Sequence, residues 1–148
     1  MLLGNSVYHV HQGEGLCFST DSIKGYYNDL TEKVTRFPVA KGSIPCTEIS
    51  NKESISFSIA IFQYGLGAYD LYLLNSDSCM LETAILCADW AVANQQADGS
   101  WRTFDYKYND HPYSAMAQGE GISLLSRVYL ETSENKYLQA VHEAKAFM

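Results

Sequence analysis

The chain has 148 residues, of which 47% are apolar and 18% are charged. This balance excludes a disordered chain and allows one packed domain, but hardly two. The formal net charge of −7 argues against a broad basic surface for nucleic acid or for an acidic membrane. We therefore expect no nucleic-acid partner, and an anionic ligand would need a few local cations. The 11 tyrosines suit a sugar-binding cleft, although a core or a protein interface uses tyrosine equally well.

The sequence predicts no signal peptide and no membrane-spanning segment. Polar residues follow Met1 and two leucines directly, without a basic region or a long apolar region. The most apolar long stretch, 55–74, contains Asp70 and other polar residues, which indicates a buried helix. We therefore expect no membrane contact in this segment.

The cysteines and histidines give no clear metal site. There is neither a C-x-x-C pair nor zinc spacing among the cysteines, which are Cys17, Cys46, Cys79 and Cys87. Free thiols are the preferred interpretation, although their even number leaves disulfides open. His9 and His11 form an H-x-H pair, for which ordinary strand histidines are the simpler interpretation.

Residues 1–50 are predicted to be an irregular N-terminal segment. Alternation over 7–12 is weakly strand-like. Asp29 followed by Glu32 is typical of a helix N-cap with a capping box, and Pro38 ends any helix soon afterwards.

Residues 51–97 are predicted to be a first helical hairpin. From about residue 54, apolar residues recur at steps of three and four. A polar break at 75–78 supplies N-cap candidates, and a second helix continues to about residue 96. Residues 98–112 follow as a cleft loop or β-hairpin, because 101–108 alternate as a strand does.

Residues 113–148 are predicted to be a second helical hairpin. Its first helix runs from about 114 to 130. Its second helix is capped by 132–134 and has an apolar inner face, made of Tyr137, Val141, Ala144 and Phe147.

The two hairpins resemble each other at a spacing of about 56 residues. Matching pairs are Ala84 with Ala140, Ala88 with Ala144, and Tyr72 with Tyr129. A cluster that begins at Gln63 also resembles one that begins at Gln118. This period suits an α/α toroid, which takes about six hairpins and on the order of 300 residues. We therefore expect one incomplete domain over residues 1–148, mainly α, a partial α/α toroid of two hairpins with a short β-hairpin.

The block from Tyr113 to Leu130, which contains S-A-M-A-Q-G-E-G-I-S, closely resembles the signature of the C-terminal domain of D-glucuronyl C5-epimerases. Other stretches are similar to that family in the same order: Q-Y-G-L at 63–66, A-D-W-A-V-A-N-Q at 88–95, D-G-S-W at 98–101 and, less sharply, Y-Y-N-D-L at 26–30. The resemblance covers about residues 20–148.

This resemblance implies an isomerase that converts D-glucuronate to L-iduronate in a heparosan-type polymer. Removing the C5 proton needs donors that neutralise the neighbouring carboxylate, with a base on one face and an acid on the other. No metal or organic cofactor is needed in principle. The implied partner is an anionic uronic-acid polysaccharide, and a homodimer of the full-length protein is conceivable. The localisation stays open, cytoplasmic for a bacterial protein and the Golgi lumen for an animal-like one.

In the family, the loop before the signature block contacts the polysaccharide, and Asp105 to Tyr108 match that loop in approximate register. Cations and stacking faces there suit a uronate, although a surface hairpin that merely covers the helices is the alternative. The candidate substrate-binding residues are Arg102, Asp105, Tyr106, Lys107, Tyr108, Tyr113, Gln118 and Glu120.

Two glycines lie beside Gln118 and Glu120 in the predicted helix, at Gly119 and Gly121. Each costs about 1 kcal/mol relative to alanine, which either close packing or close ligand approach must offset. Packing is the preferred explanation. Glu120 could orient a cation, contact a sugar hydroxyl or be a solvated carboxylate at the helix start. Arg127 is expected to pair with an acid between helices.

No catalytic residue is assigned within the chain. The resemblance places the proton-transfer groups, tyrosines and an acid, in hairpins that follow the signature helix, and we expect them beyond Met148. The polypeptide alone is therefore expected to be inactive.

Two alternatives to the epimerase remain. A uronate hydrolase or lyase on the same scaffold would need paired carboxylates, for which Glu120 and Asp105 are candidates. A non-enzymatic interaction module would use the tyrosine-rich face.

Overall fold

The computed structural model describes residues 12–49, 53–108 and 110–148. These ranges contain five helices, which are α1 (Thr31–Thr35), α2 (Ser58–Asn75), α3 (Ser78–Asn94), α4 (Ala115–Thr132) and α5 (Asn135–Phe147). They also contain one antiparallel pair of short strands, β1 (Thr47–Glu48) and β2 (Ser54–Ile55). The predicted mainly α class is confirmed. The stretch 7–11, with His9 and His11, lies outside the described residues.

Helices α2 and α3 pack together, as do α4 and α5. The largest contact between the two pairs is that of α2 with α4, and α3 also contacts α4 and α5. Each pair turns at a serine in the left-handed conformation, Ser76 with φ of 56° and Ser133 with φ of 57°. The amide of each serine donates to a tyrosine carbonyl, of Tyr72 and Tyr129 respectively, at 2.8 Å. The two predicted hairpins therefore exist, and closure into a ring stays a prediction.

The core is formed where small residues let these helices approach. Ala84, Ala88 and Ala144 are fully buried, as their repeated spacing predicts. A Cβ on Gly65 would lie 2.8 Å from Cys87 and from Leu124, so this glycine is required by packing between α2, α3 and α4. All four cysteines have free thiols.

The N-terminal segment packs against the first hairpin. Tyr26, Leu30 and Val34 are buried in the same core, and α1 lies on α2. The predicted N-cap with a capping box is wrong, because Leu30 is the N-cap of α1 and makes no side-chain cap hydrogen bond. Asp29 Oδ1 instead accepts from the Thr31 amide at 2.9 Å and from the Thr31 hydroxyl at 2.6 Å. The short helix ends at Thr35, three residues before Pro38.

The expectation of a strand over 101–108 is wrong. This stretch forms turns, in which the amides of Lys107 and Tyr108 donate to the Phe104 carbonyl at 2.9 and 2.8 Å. The alternation arises because Trp101 and Thr103 are buried against the helices. Strand pairing occurs instead at β1 and β2, and α2 consequently begins at Ser58 rather than near residue 54.

None of the described helices is long and apolar enough to cross a membrane.

Candidate functional site

An open cleft of about 1010 Å³ lies between the N-terminal segment and the first half of α4. Tyr26, Tyr27 and Asn28 line the wall formed by the N-terminal segment. Gly119 and Ser123 line the opposite wall, which α4 forms. Gln63 of α2 and Glu120 of α4 also line the cleft. We call this space the Glu120 cleft.

Glu120 is a buried carboxylate with one satisfied oxygen. The residue is only 8% exposed, and its Oε1 accepts from Gln63 Nε2 at 2.8 Å. Within the described ranges, Oε2 has no hydrogen-bond partner. Burial raises the pKa of Glu120 to about 6, against the opposing effects of the Gln63 hydrogen bond and the Lys33 charge. The carboxyl group can therefore exchange a proton close to neutral pH. The expectation of a solvated carboxylate is wrong.

Arg127 fastens the N-terminal segment to α4. Its Nε donates to the Lys24 carbonyl at 2.7 Å, and Nη2 donates to the Gly25 carbonyl at 3.1 Å. The expected direct pairing with an acid is replaced by these carbonyl contacts. Asp70 nevertheless acts on Arg127 through its charge and raises its pKa, while burial, the larger effect, lowers it.

Asp70 holds the backbone of the same wall by a hydrogen bond. It is almost fully buried, and its Oδ1 accepts from the Tyr26 amide at 3.2 Å. Burial raises the pKa of Asp70 to about 6, which the Tyr26 hydrogen bond and the Arg127 charge partly offset. Asp70 thus fixes the backbone that carries the tyrosines of the Glu120 cleft.

The two tyrosines of this wall differ in role. Tyr26 is buried beneath the guanidinium of Arg127, which lies 5.3 Å from the ring centroid. Burial, reinforced by the charge of Glu120, raises the pKa of Tyr26, so its hydroxyl stays protonated and is unsuited to act as a base. Tyr27 is 56% exposed, and its ring centroid lies 4.8 Å from that of Tyr26. It therefore presents an aromatic surface supported from behind.

Gln118 faces away from the Glu120 cleft. It is 3% exposed, and its Nε2 donates to the carbonyls of Gly99 at 2.8 Å and Ala144 at 3.2 Å. Gly121 serves packing as well, because a Cβ there would lie 2.8 Å from the Trp101 ring. Gly119 is different, since no described atom lies within 4 Å of the position its Cβ would take.

The loop candidates lie outside the Glu120 cleft. Arg102 Nη2 and Asp105 Oδ1 form an ion pair of 2.6 Å and line a separate cleft of about 210 Å³. The Lys107 ammonium lies over the Tyr108 ring, 5.1 Å from its centroid, and Tyr106 is half exposed. These residues remain predictions as ligand contacts.

Tyr113, the other aromatic candidate, packs on Phe147 with ring centroids 5.1 Å apart. Glu120 and Asp105 line different clefts, so the structure gives no support to their pairing as acids of glycoside cleavage.

No catalytic residue is assigned among the described residues, and the position of the proton-transfer groups stays a prediction from the resemblance.

Sequence reasoning missed the wall formed by Tyr26, Tyr27 and Asn28. The weak Y-Y-N-D-L likeness at 26–30 was the available signal. In the described ranges, His, Cys, Asp and Glu side chains form no group of three that could hold a metal ion.

Comparison with known proteins supports the resemblance noted above. Residues 94–148 match the family model described as D-glucuronyl C5-epimerase C-terminus. The D-glucuronyl C5-epimerase of Caenorhabditis elegans is 38% identical over 65 residues, which cover 38% of this chain and 11% of that protein. The chain thus matches a small part of the length of this curated relative. No solved structure matches the chain. The likeness of residues 113–130 to the epimerase signature is confirmed.

Proposed function

Because residues 94–148 match the C-terminal domain of D-glucuronyl C5-epimerases, we propose that the chain forms part of an isomerase that acts on a uronic-acid polysaccharide. The reaction proposed is conversion of D-glucuronate to L-iduronate by inversion at C5. The family match is the observation that carries this proposal, and it includes the α4 wall of the Glu120 cleft.

The chemistry of the Glu120 cleft supports a sugar as its ligand. Tyr27 offers a ring for stacking, and Asn28 and Ser123 offer polar groups on facing walls. Arg127 lines the cleft and brings positive charge to an otherwise acidic chain. The charge of Lys33 also acts on Glu120. A local cation is what an anionic uronate needs in order to bind here.

We assign substrate stacking to the exposed Tyr27 and a supporting role, rather than proton abstraction, to the buried Tyr26. A tyrosine base requires a lowered pKa, whereas burial and the charge of Glu120 raise that of Tyr26. Glu120 is the group of the cleft whose pKa, about 6, permits proton exchange near neutral pH.

The test is incubation of the full-length protein with heparosan in D₂O. Deuterium at C5 with formation of iduronate and unchanged chain length is the expected result. New reducing ends or unsaturated ends would instead indicate a hydrolase or a lyase. Tight binding of a protein without affinity for uronate oligosaccharides would indicate an interaction module, and either outcome would overturn the proposal.

A further inference from the structure

We propose that Glu120 and Gly119 form a subsite for one sugar ring, in which Glu120 Oε2 accepts a hydrogen bond from a ring hydroxyl. This inference rests on the proposed function, since it specifies how the uronic-acid polymer lies in the Glu120 cleft.

The first support is the state of the Glu120 carboxylate. A buried carboxylate oxygen without a partner is costly, and native structures rarely retain one without a reason. Within the described part of the chain, Asp70 Oδ2 and Glu120 Oε2 are such atoms, and of these two buried residues Glu120 is the one that lines the cleft. A hydroxyl donor from a ligand would satisfy it.

The second support is the way Gln63 orients this carboxylate. Gln63 is itself buried, and its Nε2 holds Oε1 at 2.8 Å. Because one oxygen is fixed by α2, the other has a defined position before any ligand arrives. Such preorganisation lowers the entropy lost on binding.

The third support is Gly119. Glycine inside a helix destabilises it relative to alanine, and Gly65, Gly67 and Gly121 each offset this by close packing. Gly119 has no such neighbour among the described residues, yet it lines the cleft next to Glu120. The absent side chain leaves room for a ring to approach the helix backbone.

The opposite wall supplies the stacking surface. Tyr27 is more than half exposed, and Tyr26 supports its ring. Tyr26 is in turn held by Asp70 through its amide and by Arg127 over its ring. A pyranose between Tyr27 and Gly119 would direct a hydroxyl edge toward Glu120, because an ionised Glu120 repels the carboxylate of the sugar.

The experiment measures binding of a heparosan hexasaccharide to the full chain by isothermal titration calorimetry, with a neutral cello-oligosaccharide as the second probe. Glu120→Gln keeps the shape and the amide contact to Gln63 but removes the charged acceptor. Gly119→Ala fills the open space with one methyl group. Glu143→Gln, an exposed position on α5, is the matched control for the change in charge.

We expect Glu120→Gln to weaken hexasaccharide binding about tenfold, as loss of a hydrogen bond to a charged group does. We expect Gly119→Ala to weaken it by a similar factor while raising the melting temperature, which excludes misfolding as the cause. Glu143→Gln should bind as the parent chain does.

The possible failures are distinguishable. Hexasaccharide binding that neither cleft variant changes would overturn the subsite and leave the proposed function intact. Binding of the neutral probe alone, weakened by both cleft variants, would support the sugar subsite and overturn the proposed function. Absence of binding to either probe would overturn both.

Discussion

Gln63 and Glu120 lie 57 residues apart, at the same position of the two successive hairpins, and hydrogen-bond to each other at 2.8 Å. Asp70 and Arg127 have the same separation and interact through their charges. The repeat therefore places equivalent residues of α2 and α4 face to face. One such pair holds the carboxylate of the Glu120 cleft, and the other stabilises the wall of the cleft.

The first prediction concerns the stability of the chain against pH. Burial raises the pKa of Glu120 from 4.5 to about 6, so the folded state binds this proton more tightly than the unfolded state. The stabilisation that protonated Glu120 gives the folded state is fully present below pH 4.5. It is lost as the pH rises through 6, and the total loss in unfolding free energy is about 2 kcal/mol. Glu120→Gln has no titrating carboxyl group at this position, so its unfolding free energy does not undergo this decrease.

Urea denaturation at pH 4 and at pH 7 checks this prediction. The free energy of unfolding of Glu120→Gln relative to the parent chain should rise by about 2 kcal/mol between the two values. Asp70 titrates in both proteins and cancels in the comparison. Glu143→Gln should show no such change, and an equal difference at both pH values would contradict the buried state of Glu120.

The second prediction concerns the two serines that end α2 and α4. Ser76 and Ser133 adopt φ near 57°, where a side chain is strained and glycine is not. Replacement of either serine by glycine should stabilise the chain by about 0.5–1 kcal/mol. Thermal unfolding measures the effect, with Ser43→Gly, an exposed loop position, as a control. Destabilisation at both turns would show that the serine side chains matter more than the strain.

The third prediction concerns Arg127 as the link between α4 and the N-terminal segment. Arg127→Met would leave the carbonyls of Lys24 and Gly25 without this donor and Asp70 without its neighbouring charge. We expect a loss on the order of 3 kcal/mol in unfolding free energy. Faster proteolysis within residues 12–28 should accompany it.

The control is Arg36→Met, which breaks an exposed pair with Glu32 on one helix. Such pairs contribute about 0.3–0.5 kcal/mol. If Arg127→Met proved no more damaging than this control, the N-terminal segment would have to be held chiefly by its apolar contacts.

The helices could be predicted because the signals that form them are local. Apolar spacing in α2 and α4 and the polar break at 75–78 need only neighbouring residues. The Glu120 cleft could not be predicted in this way, since Arg127 contacts Lys24 across 103 residues of sequence. Likewise, the alternation at 101–108 arises because Trp101 is buried against the helices. This alternation has the same period as that of a strand.

The relation of Gln118 to Glu120 shows how a motif can mislead. Two residues along a helix turn it by about 200°, so the two side chains point in nearly opposite directions. Gln118 faces Gly99 and α5, whereas Glu120 faces the cleft. Gln118 as a ligand contact stays a prediction, and its two hydrogen bonds give it a packing role in this structure. The motif match alone locates the helix and does not say which of its side chains faces the ligand.

The fourth prediction follows from that geometry and separates the two residues by experiment. Gln118→Ala removes the donor that joins the carbonyls of Gly99 and Ala144, both in buried surroundings. We expect a loss of about 1–3 kcal/mol in unfolding free energy. Hexasaccharide affinity, measured below the melting temperature, should stay unchanged, in contrast to Glu120→Gln. A loss of affinity in folded Gln118→Ala would contradict this separation of roles and return Gln118 to the set of ligand contacts.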